Sequence, residues 1–484
     1  MRAQGETPRR HFFWVAVLYF AEGLPYGLFS DVIPVQWREQ GASLTAIGTL
    51  SLLGLAWTLK FLWAPAIDAL RHHRRWMAGA DLSMAAMALA LSVHHVVDPI
   101  AWVAVSVFTL SSATNDIAID GYTIDLLPRS EMGFANGLRI GFYRVGLLAA
   151  GLVLASSSLI GWSGAYVLAA AILILDAVMC LRAPPELMRA QGPTLDLPTE
   201  LRAIARNPAA LALIALLGVA ALKLAGPVLH WQLPPVLTDM LLVVAGIALV
   251  LATGHRRREL AVLARGPLFG ALMEMMSRPG MVPVLLFILT FKLAETAMGF
   301  MVKPFWVDAG FSAAEIGLVS VNIGIGLSIA GGLTGGWLTD RLGVYRALWT
   351  LGLVQALPNL VYAAAAFFMP HAAHPGHGER LLVYAASATE SFASGVGTSA
   401  FLAFLMAIVD KQRSATEFAL LSSVFAFSRS IAGWASGIGA EHLGYAHYFL
   451  LTFALAFPAY LFLPAVRRML TRQEESRGVG TLGG

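Results

Sequence analysis

The chain has 484 residues, of which 57% are apolar and 13% are charged, and its formal net charge is +4. Soluble domains carry about a quarter charged residues, so this composition excludes an ordinary soluble enzyme or nucleic-acid-binding domain and indicates a membrane protein. Because the basic residues lie in loops that flank apolar segments, we expect the lipid bilayer as a partner and no nucleic acid.

Apolar segments of about 20 residues, the length that crosses a bilayer, predict fourteen transmembrane helices in an all-α polytopic membrane protein. The first half, residues 12–182, has helices at 12–34, 44–69, 76–96, 99–126, 132–160 and 162–182. Residues 183–280 combine polar linkers with an extra central pair at 209–229 and 235–253. The second half, residues 281–466, has helices at 281–307, 313–338, 345–369, 381–409, 414–440 and 444–466, and a cytoplasmic tail follows at 467–484.

The distribution of basic residues orients these helices. With the N-terminus inside, only Arg38 and Arg380 fall in outer loops, whereas most of the 33 Lys and Arg residues fall in inner loops and tails. Positively charged loops remain in the cytoplasm, so the pattern predicts that both termini are cytoplasmic. The single cysteine, Cys180, excludes an internal disulfide.

The two halves share a weak internal repeat. Trp37 and Gly41 align with Trp306 and Gly310 at the turn after the first helix of each half. Two six-helix halves in parallel arrangement are typical of major facilitator transporters, which bind substrate near the midplane between the halves. The sequence therefore predicts a major facilitator fold.

A short turn in the second half resembles a cytoplasmic signature of that superfamily. It reads GGWLTDRLGVYR over residues 335–346, and a degenerate copy surrounds Asp68 in the first half. Small residues allow close helix packing, and Asp340 can cap a helix or pair with a nearby arginine. We expect the turn to gate the cytoplasmic side; the alternative is that it is only a tight basic turn. The candidate gating residues are Asp68, Arg74, Asp340, Arg341 and Arg346.

Acidic residues lie deep within four predicted helices. The major facilitator resemblance implies that the first and fourth helices of each half line the central cavity. These helices carry Glu22, Asp116 with Asp120, Glu295, and Glu390. A charge at the bilayer centre costs about 2.5–3.5 kcal/mol even on insertion scales. Such residues usually face water or a charged partner.

One polar stripe suggests proton chemistry. Ser112, Asp116, Asp120 and Thr123 follow helical spacing and share one face. Two close carboxylates oppose each other's ionisation, so one of them would hold a proton near neutral pH. The proton-coupling candidates are therefore Asp116, Asp120 and Glu22. The alternative is a carboxylate buried beside an arginine for packing alone.

Basic residues inside the membrane would suit an anionic substrate such as a carboxylate or a phosphate. Lys292 and Glu295, three residues apart, can instead neutralise each other, and the repeat-equivalent Arg144 and Arg429 can share a structural role. Glycine and proline in EGLPYG, residues 22–27, predict an unwound helix, which membrane proteins tolerate only at a cavity or in the protein interior. The candidate substrate-binding residues are Glu22, Tyr26, Lys60, Asn115, Asp116, Arg139, Arg144, Lys292, Glu295, Glu390 and Arg429.

Four segments together resemble the AmpG-type muropeptide permeases and the related acetyl-CoA transporters of the major facilitator superfamily. They read YFAEGLPYGL, KFLWAPAID, SATNDIAIDGYTIDLLP and ANGLRIGFYRVG. The resemblance is dense over residues 12–182 and thinner over 281–466. It implies proton-driven import of anhydro-muropeptides, which are small anionic glycopeptides, across the bacterial inner membrane for peptidoglycan recycling. It also implies a monomer and makes Asp116, which follows Asn115, a key acid.

Other functions stay open at this point. A major facilitator could carry another anionic metabolite, such as an acyl-CoA or a siderophore, and a transporter-like receptor or scaffold would move nothing. Acids on all four cavity helices disfavour a scaffold, which gains nothing from their cost. The sequence shows no nucleophile–base pair or metal-ligand cluster at membrane depth and no nucleotide loop, and the three histidines of the outer loop, His371, His374 and His377, are interpreted as part of a flexible exposed loop rather than a metal site. We therefore predict no catalysis, no metal and no cofactor, with the proton gradient as the driving force.

Overall fold

A computed structural model describes residues 8–60, 63, 67, 72–94, 98–126, 132–185, 278, 280–369, 375–408 and 414–480. Helices and the turns between them account for this part of the chain, and it contains no strand. The chain divides into two units, Met1–Met188 with Gly280–Gly484, and Arg189–Pro279. The predicted helix pair at 209–229 and 235–253 belongs to the second unit and lies outside the described residues, as does Asp68.

The first half begins with a helix that changes character midway. Helix α1 covers Pro8–Gly27, a π-helical segment follows at Leu28–Val32, and α2 covers Ile33–Glu39. The remaining helices are α3 (Leu44–Leu53), α4 (Leu55–Leu59), α5 (His73–Val93), α6 (Pro99–Leu126) and α7 (Met132–Arg182), of which α7 has a kink at Gly161.

The second half repeats much of this order. Its helices are α8 (Met281–Phe291), α9 (Leu293–Asp308), α10 (Ala313–Glu315), a π-helical segment (Ile316–Ile323), α11 (Gly324–Leu342), α12 (Val344–Phe368), α13 (His377–Ile408) and α14 (Ser414–Ala454). Helix α14 has a kink at Gly444, a 3-10 segment follows at Pro458–Phe462, and α15 covers Leu463–Gly480. The predicted span at 444–466 is therefore interrupted after Ala454.

Within the described residues, nine helical stretches are long and apolar enough to cross a membrane. Two of them, Leu138–Arg182 and Phe425–Arg472, have 45 and 48 residues. Because one crossing needs about 20 residues, each of these two is long enough for a pair of crossings. The exposed hydrophobic side chains that remain on the helices suit contact with lipid rather than water.

The internal repeat is visible in the turns. Gly41 and Gly310 both have positive φ, at 87° and 81°, a conformation that glycine adopts without steric cost. Two residues later, Ser43 and Ser312 each cap the following helix through the side-chain oxygen. The same local chemistry therefore ends and starts equivalent helices in the two halves.

The expected unwinding of the first helix at residues 22–27 is wrong. Helix α1 continues through Pro25, and the irregular π-helical segment comes after it, at Leu28–Val32. Close packing explains the difference, because a Cβ on Gly23 would lie 2.1 Å from the backbone oxygen of Tyr143 in α7. A neighbouring helix in direct backbone contact compensates for the helix-breaking tendency of glycine and proline.

The seventh predicted helix, 281–307, is not continuous. It divides into α8 and α9 at Lys292, whose φ and ψ of −96° and 3° leave the helical region. The ammonium group of Lys292 binds three polar side chains in the protein interior. Those contacts and the break lie at the same residue.

The two halves contact each other at the end of the molecule that carries the turns at Gly41, Gly161, Gly310 and Gly444, here called the glycine-turn end. Arg38 binds Asp308 through two N–H groups at 2.6 and 2.5 Å, and Tyr445 donates to the same carboxylate at 2.5 Å. Nearby, the backbone N–H of Thr45 donates to Glu441 at 2.8 Å. These contacts close the halves against each other at this end.

Candidate functional site

Five ionisable side chains of the first half form one group, here called the first-half cluster: Glu22, Lys60, Asp116, Asp120 and Arg139. Lys60 Nζ lies 3.4 Å from Asp116 Oδ2 and 4.0 Å from Asp120 Oδ2. Arg139 Nη2 lies 2.8 Å from Asp120 Oδ1. The four helices α1, α4, α6 and α7 thus bring together residues that are far apart in the sequence, with Lys60 capping the end of α4.

Tyr19 completes the cluster. Its hydroxyl donates to Asp120 Oδ1 at 2.9 Å, and the guanidinium of Arg139 lies over its ring, 4.7 Å from the centroid. Asp120 therefore has a lysine, an arginine and a tyrosine around its carboxylate. Asp116 Oδ2 contacts the lysine, and the second oxygen of Asp116, Oδ1, is buried without a hydrogen-bond partner among the described residues.

Two carboxylate oxygens of this site lack a hydrogen-bond donor among the described residues. Glu22 Oε2, like Asp116 Oδ1, is buried and has no hydrogen-bond partner in the part of the chain that the structure describes, although such groups in proteins are nearly always bonded. If all three acids were ionised, the cluster would carry three negative and two positive charges. An added proton would balance that charge and supply the missing donor.

A cavity of about 460 Å³ adjoins the cluster and is bounded by both halves. Its polar lining includes two arginines and Glu22, and residues of α11 close it from the second half. Cavities of this size bind small molecules in many proteins. The lining residues are Tyr19, Glu22, Arg139, Ile140, Tyr143, Arg144, Leu147, Ile325 and Ser328.

Tyr26 and Arg429 meet across the boundary between the halves. The guanidinium of Arg429 lies 5.5 Å from the centroid of the Tyr26 ring and 5.9 Å from that of Phe300. Tyr26 also contacts the ring of Trp57 edge-on, at 5.4 Å. Arg144, the repeat equivalent of Arg429, lines the cavity instead, so the two arginines have different surroundings.

The second half has its own polar network around Lys292, which is only 4% exposed. Its ammonium donates to Glu295, to Thr398 Oγ1 at 2.8 Å and to Gln355 Oε1 at 3.2 Å. Ser394 donates to the other oxygen of Glu295 at 2.6 Å. Lys292 and Glu295 thus neutralise each other within a fully bonded network.

A second lysine of the same half, Lys303, links the two halves. Its Nζ lies 3.6 Å from Asp31 in the π-helical segment of the first half and 2.8 Å from Ser320 in that of the second. Glu390 lies within electrostatic range of this lysine and accepts a hydrogen bond from Ser391 at 3.3 Å. π-Helical segments occur often at functional sites, and Lys303 contacts both of them.

The gating candidates lie apart from these clusters. Asp340, Arg341 and Arg346 are exposed, and Asp340 makes no ion pair with another described residue, so the expected pairing with an arginine is not formed. Arg341 lies over the ring of Trp337, 4.1 Å from its centroid. Arg74 donates to the backbone oxygen of Ala183 at 2.6 Å.

Several participants were not predicted from the sequence. Tyr19 lies one helical turn before Glu22, and this spacing was an available signal. Ser394 lies four residues after Glu390 on α13, so helical spacing was an available signal there too. Nothing in the local sequence marks Gln355 and Thr398 as partners of Lys292. Asn115, a predicted substrate-binding residue, donates to Asp81 at 2.8 Å.

The chain is similar in sequence to known bacterial transporters. The family described as "Acatn: Acetyl-coenzyme A transporter 1" matches residues 11–97. The anhydromuropeptide permease of Escherichia coli (strain K12) is 28% identical over 465 residues, which cover 94% of this chain and 79% of that protein. The putative transporter AmpG 4 of Rickettsia conorii is 22% identical and covers 93% of this chain and 95% of its own length. The resemblance to AmpG-type permeases is confirmed.

Solved transporter structures share the fold. A POT family transporter in complex with a thioalcohol-conjugated peptide has a TM-score of 0.68 at 12% identity, covering 96% of this chain and 97% of its own. A bacterial homolog of the human lysosomal transporter Spinster, inward-facing and unoccupied, has a TM-score of 0.62 at 14% identity, covering 97% and 99%. Together with the relatives, these likenesses show that the chain is a membrane transporter with a major facilitator-like fold, related along nearly its whole length to the anhydromuropeptide permeases.

Proposed function

We propose that the protein imports anhydro-muropeptides from the periplasm into the cytoplasm together with protons. In this proposal the chain is a monomer in the bacterial inner membrane. It has fourteen transmembrane helices, with both termini in the cytoplasm, and no catalytic activity. The glycine-turn end then faces the periplasm. The supporting comparison is the permease of Escherichia coli, whose printed name gives the substrate class and whose sequence matches 94% of this chain.

The observation that carries the proposal is the charge imbalance of the first-half cluster. Glu22, Asp116 and Asp120 face only Lys60 and Arg139, so one net negative charge remains inside the protein when all five are ionised. Desolvated like charges oppose each other's ionisation, and a transmembrane site of this kind favours taking up one proton. Glu22 and Asp116, with one unsatisfied oxygen each, are the acids with room for it.

Proton uptake at Asp116 also changes what Lys60 can bind. The ammonium lies 3.4 Å from Asp116 and 4.0 Å from Asp120. Once Asp116 is protonated, Lys60 loses that attraction and becomes available to an anionic substrate. The peptide part of a muropeptide carries carboxylates, and Arg139 and Arg144 line the cavity that adjoins the cluster. Arginine binds a carboxylate through two parallel hydrogen bonds, so the cavity offers recognition as well as charge.

The direct test is uptake of labelled anhydro-muropeptide into proteoliposomes, with and without an inward proton gradient. We expect accumulation that depends on the gradient and is lost in Asp116→Asn. Asp98→Asn is the matched control, because Asp98 lies next to the start of the same helix, α6, and binds His94 at 2.7 Å, away from the cluster. Uptake by Asp116→Asn at the wild-type rate would refute the assignment of the proton site.

One observation favours a second substrate class. The match to the acetyl-coenzyme A transporter family covers residues 11–97, which include Glu22 and Lys60. An acyl-CoA is anionic and would use the same cations. Adding acetyl-CoA to the uptake assay distinguishes the two substrate classes. Inhibition of muropeptide uptake by acetyl-CoA supports a shared anion site. If the protein takes up acetyl-CoA but no muropeptide, acetyl-CoA replaces muropeptide as the proposed substrate. A folded protein that takes up neither compound would support the receptor or scaffold hypothesis.

The topology is testable because the chain has one cysteine. Cys180 is fully buried, so Cys180→Ala gives an unreactive background for single introduced cysteines. Cysteines in place of Gly41 and His377 should react with an impermeant maleimide in intact cells, whereas one in place of Leu342 should not. The opposite pattern would invert the topology.

A further inference from the structure

A second group of buried polar residues lies outside the cavity, between α5, α6 and the second segment of α7. It consists of Asp81, Asn115, Asp176 and Cys180, all at most 4% exposed. Asn115 Nδ2 donates to Asp81 Oδ1 at 2.8 Å, and the Cys180 thiol donates to Asp81 Oδ2 at 3.5 Å. Three helices are therefore joined at one carboxylate, and none of the contacts involves the first-half cluster directly.

Among the described residues, no positively charged side chain bonds to this group. Asp176 lies one helical turn before Cys180 on α7, and the Cys180 thiol contacts Asp81, so the two carboxylates belong to the same buried region. Helix α6 contributes the neutral amide, α7 contributes the carboxyl and the thiol, and α5 contributes no other ionisable side chain that faces the pair. Two ionised carboxylates here would repel each other without the solvent or partner that buried charges require.

The same group has more acceptors than donors. Within the described ranges, Asp176 Oδ2 and Asn115 Oδ1 are both buried and have no hydrogen-bond partner. Asn115 is 1% exposed, and its carboxamide is directed into the group by the bond to Asp81. Buried acceptors of this kind are nearly always bonded. With both carboxylates ionised the group would carry two negative charges. One proton removes one of these charges and supplies a hydrogen-bond donor.

We propose that Asp81 and Asp176 form a buried acid pair that holds one proton, and that Asn115 links the protonation of this pair to Asp116. A carboxyl O–H on either aspartate would donate to the other carboxylate or to Asn115 Oδ1. A proton fits better than a metal ion, because the thiol is a soft ligand that hard cations avoid. The described residues also contain no group of three His, Cys, Asp or Glu suited to a metal.

The link to transport follows from the position of Asn115. It precedes Asp116 directly on α6, and its amide is fixed by Asp81. When the pair loses its proton, Asp81 and Asp176 repel, and Asn115 Oδ1 loses the carboxyl O–H that would donate to it. The contacts of the turn of α6 that carries Asn115 and Asp116 therefore change. The link between the pair and Asp116 rests on the proposed coupling of transport to protons. The proposal that the pair holds a proton is independent of that coupling.

Infrared spectroscopy of the purified full-length protein in lipid tests the site without substrate. At neutral pH, we expect the carbonyl band of protonated carboxylic acids to be weaker in the double variant Asp81→Asn/Asp176→Asn than in the wild type. The difference should equal one acid per chain. Asp98→Asn, a half-exposed aspartate outside the group, should leave the band unchanged. If the double variant does not fold, each single Asn variant should show the same loss, because the remaining carboxylate then accepts from the new amide.

Two results would overturn the proposal. An unchanged carbonyl band in the double and single variants would mean that the pair holds no proton. Stabilisation of the wild type by sodium chloride over choline chloride, absent in the double variant, would make the occupant sodium.

The link to Asp116 has its own readout: the pH midpoint of muropeptide uptake should shift in Asp81→Asn, and an unshifted midpoint refutes the link. A wild type that transports no muropeptide would defeat the proposed function but leave the infrared result standing.

Discussion

The contact between α1 and α7 beside the first-half cluster gives the sharpest prediction. In Gly23→Ala the new Cβ would lie 2.1 Å from the backbone oxygen of Tyr143, whereas real Cβ contacts essentially never fall below 3.0 Å. The two backbones must therefore separate by about 0.9 Å, the difference between these distances. Because the obstacle is backbone, no side-chain rotation relieves it.

The same displacement reaches the cluster. Tyr19, one turn before Gly23 on α1, donates to Asp120 at 2.9 Å, and Arg139 of α7 lies over its ring at 4.7 Å. Moving α1 from α7 by nearly 1 Å stretches this contact and widens the cavity next to Glu22. Overpacking of this kind costs about 1–3 kcal/mol, against a gain of about 0.5–1 kcal/mol from replacing a helical glycine by alanine.

A matched control isolates the overpacking. Gly141 lies on α7, the helix that Gly23 contacts, and a Cβ there would meet nothing within 4 Å. Gly141→Ala receives the same gain in helix propensity without the overlap, so the free energies of unfolding of the two variants should differ by the overpacking alone, about 1–3 kcal/mol. The assays are the apparent Tm by intrinsic fluorescence and the initial uptake rate in proteoliposomes. Equal Tm and equal uptake for the two variants would refute the reasoning.

Three further predictions concern the ion pairs. The side chains of the Arg38–Asp308 pair are 21% and 29% exposed, and the pair should favour the closed form of the glycine-turn end over the open form by about 1 kcal/mol, roughly a factor of five in population. Arg38→Ala should therefore raise the labelling of a cysteine placed at this end, and no rise would contradict a closing role. Lys292→Met leaves Glu295 buried without its cation and should lower the free energy of unfolding by about 3–5 kcal/mol, which a lower Tm would show. The double variant Lys292→Met/Glu295→Met should recover part of this stability. A double variant no more stable than the single one would argue against charge burial as the cause. Lys303→Met removes a contact that joins both π-helical segments and should slow uptake more than Lys303→Arg, which keeps the charge; equal rates for the two variants would show that the charge is dispensable.

The sequence predicted the helical membrane class, the acids inside the helices and the paired turns at Gly41 and Gly310. These features depend on composition and on spacing within one segment. Hydrocarbon penalises a charge wherever it lies along the chain, so Glu22, Asp116 and Glu390 were visible as exceptions. Glycine at a turn with positive φ is likewise a local requirement.

The local sequence was a poorer guide to backbone irregularities. Glycine and proline at residues 22–27 predicted an unwound segment, but close packing on α7 preserves the helix and the π-helical segment lies just beyond it. Conversely, nothing in the apolar run 281–291 predicted the break at Lys292. In both cases a neighbouring helix decided the backbone conformation.

What the sequence by itself determined is therefore that the chain is a helical membrane protein and which of its apolar segments carry charge, because each residue contributes separately to the free energy of transfer from water to hydrocarbon. Only the tertiary structure decided the partners. Lys60 faces Asp116 and Asp120 from another helix, Lys292 binds Gln355 and Thr398, and Asp81 accepts from Asn115 and Cys180 away from the cavity. Such pairings depend on how helices are rotated and shifted against each other, and this register is set by packing between segments far apart in the chain.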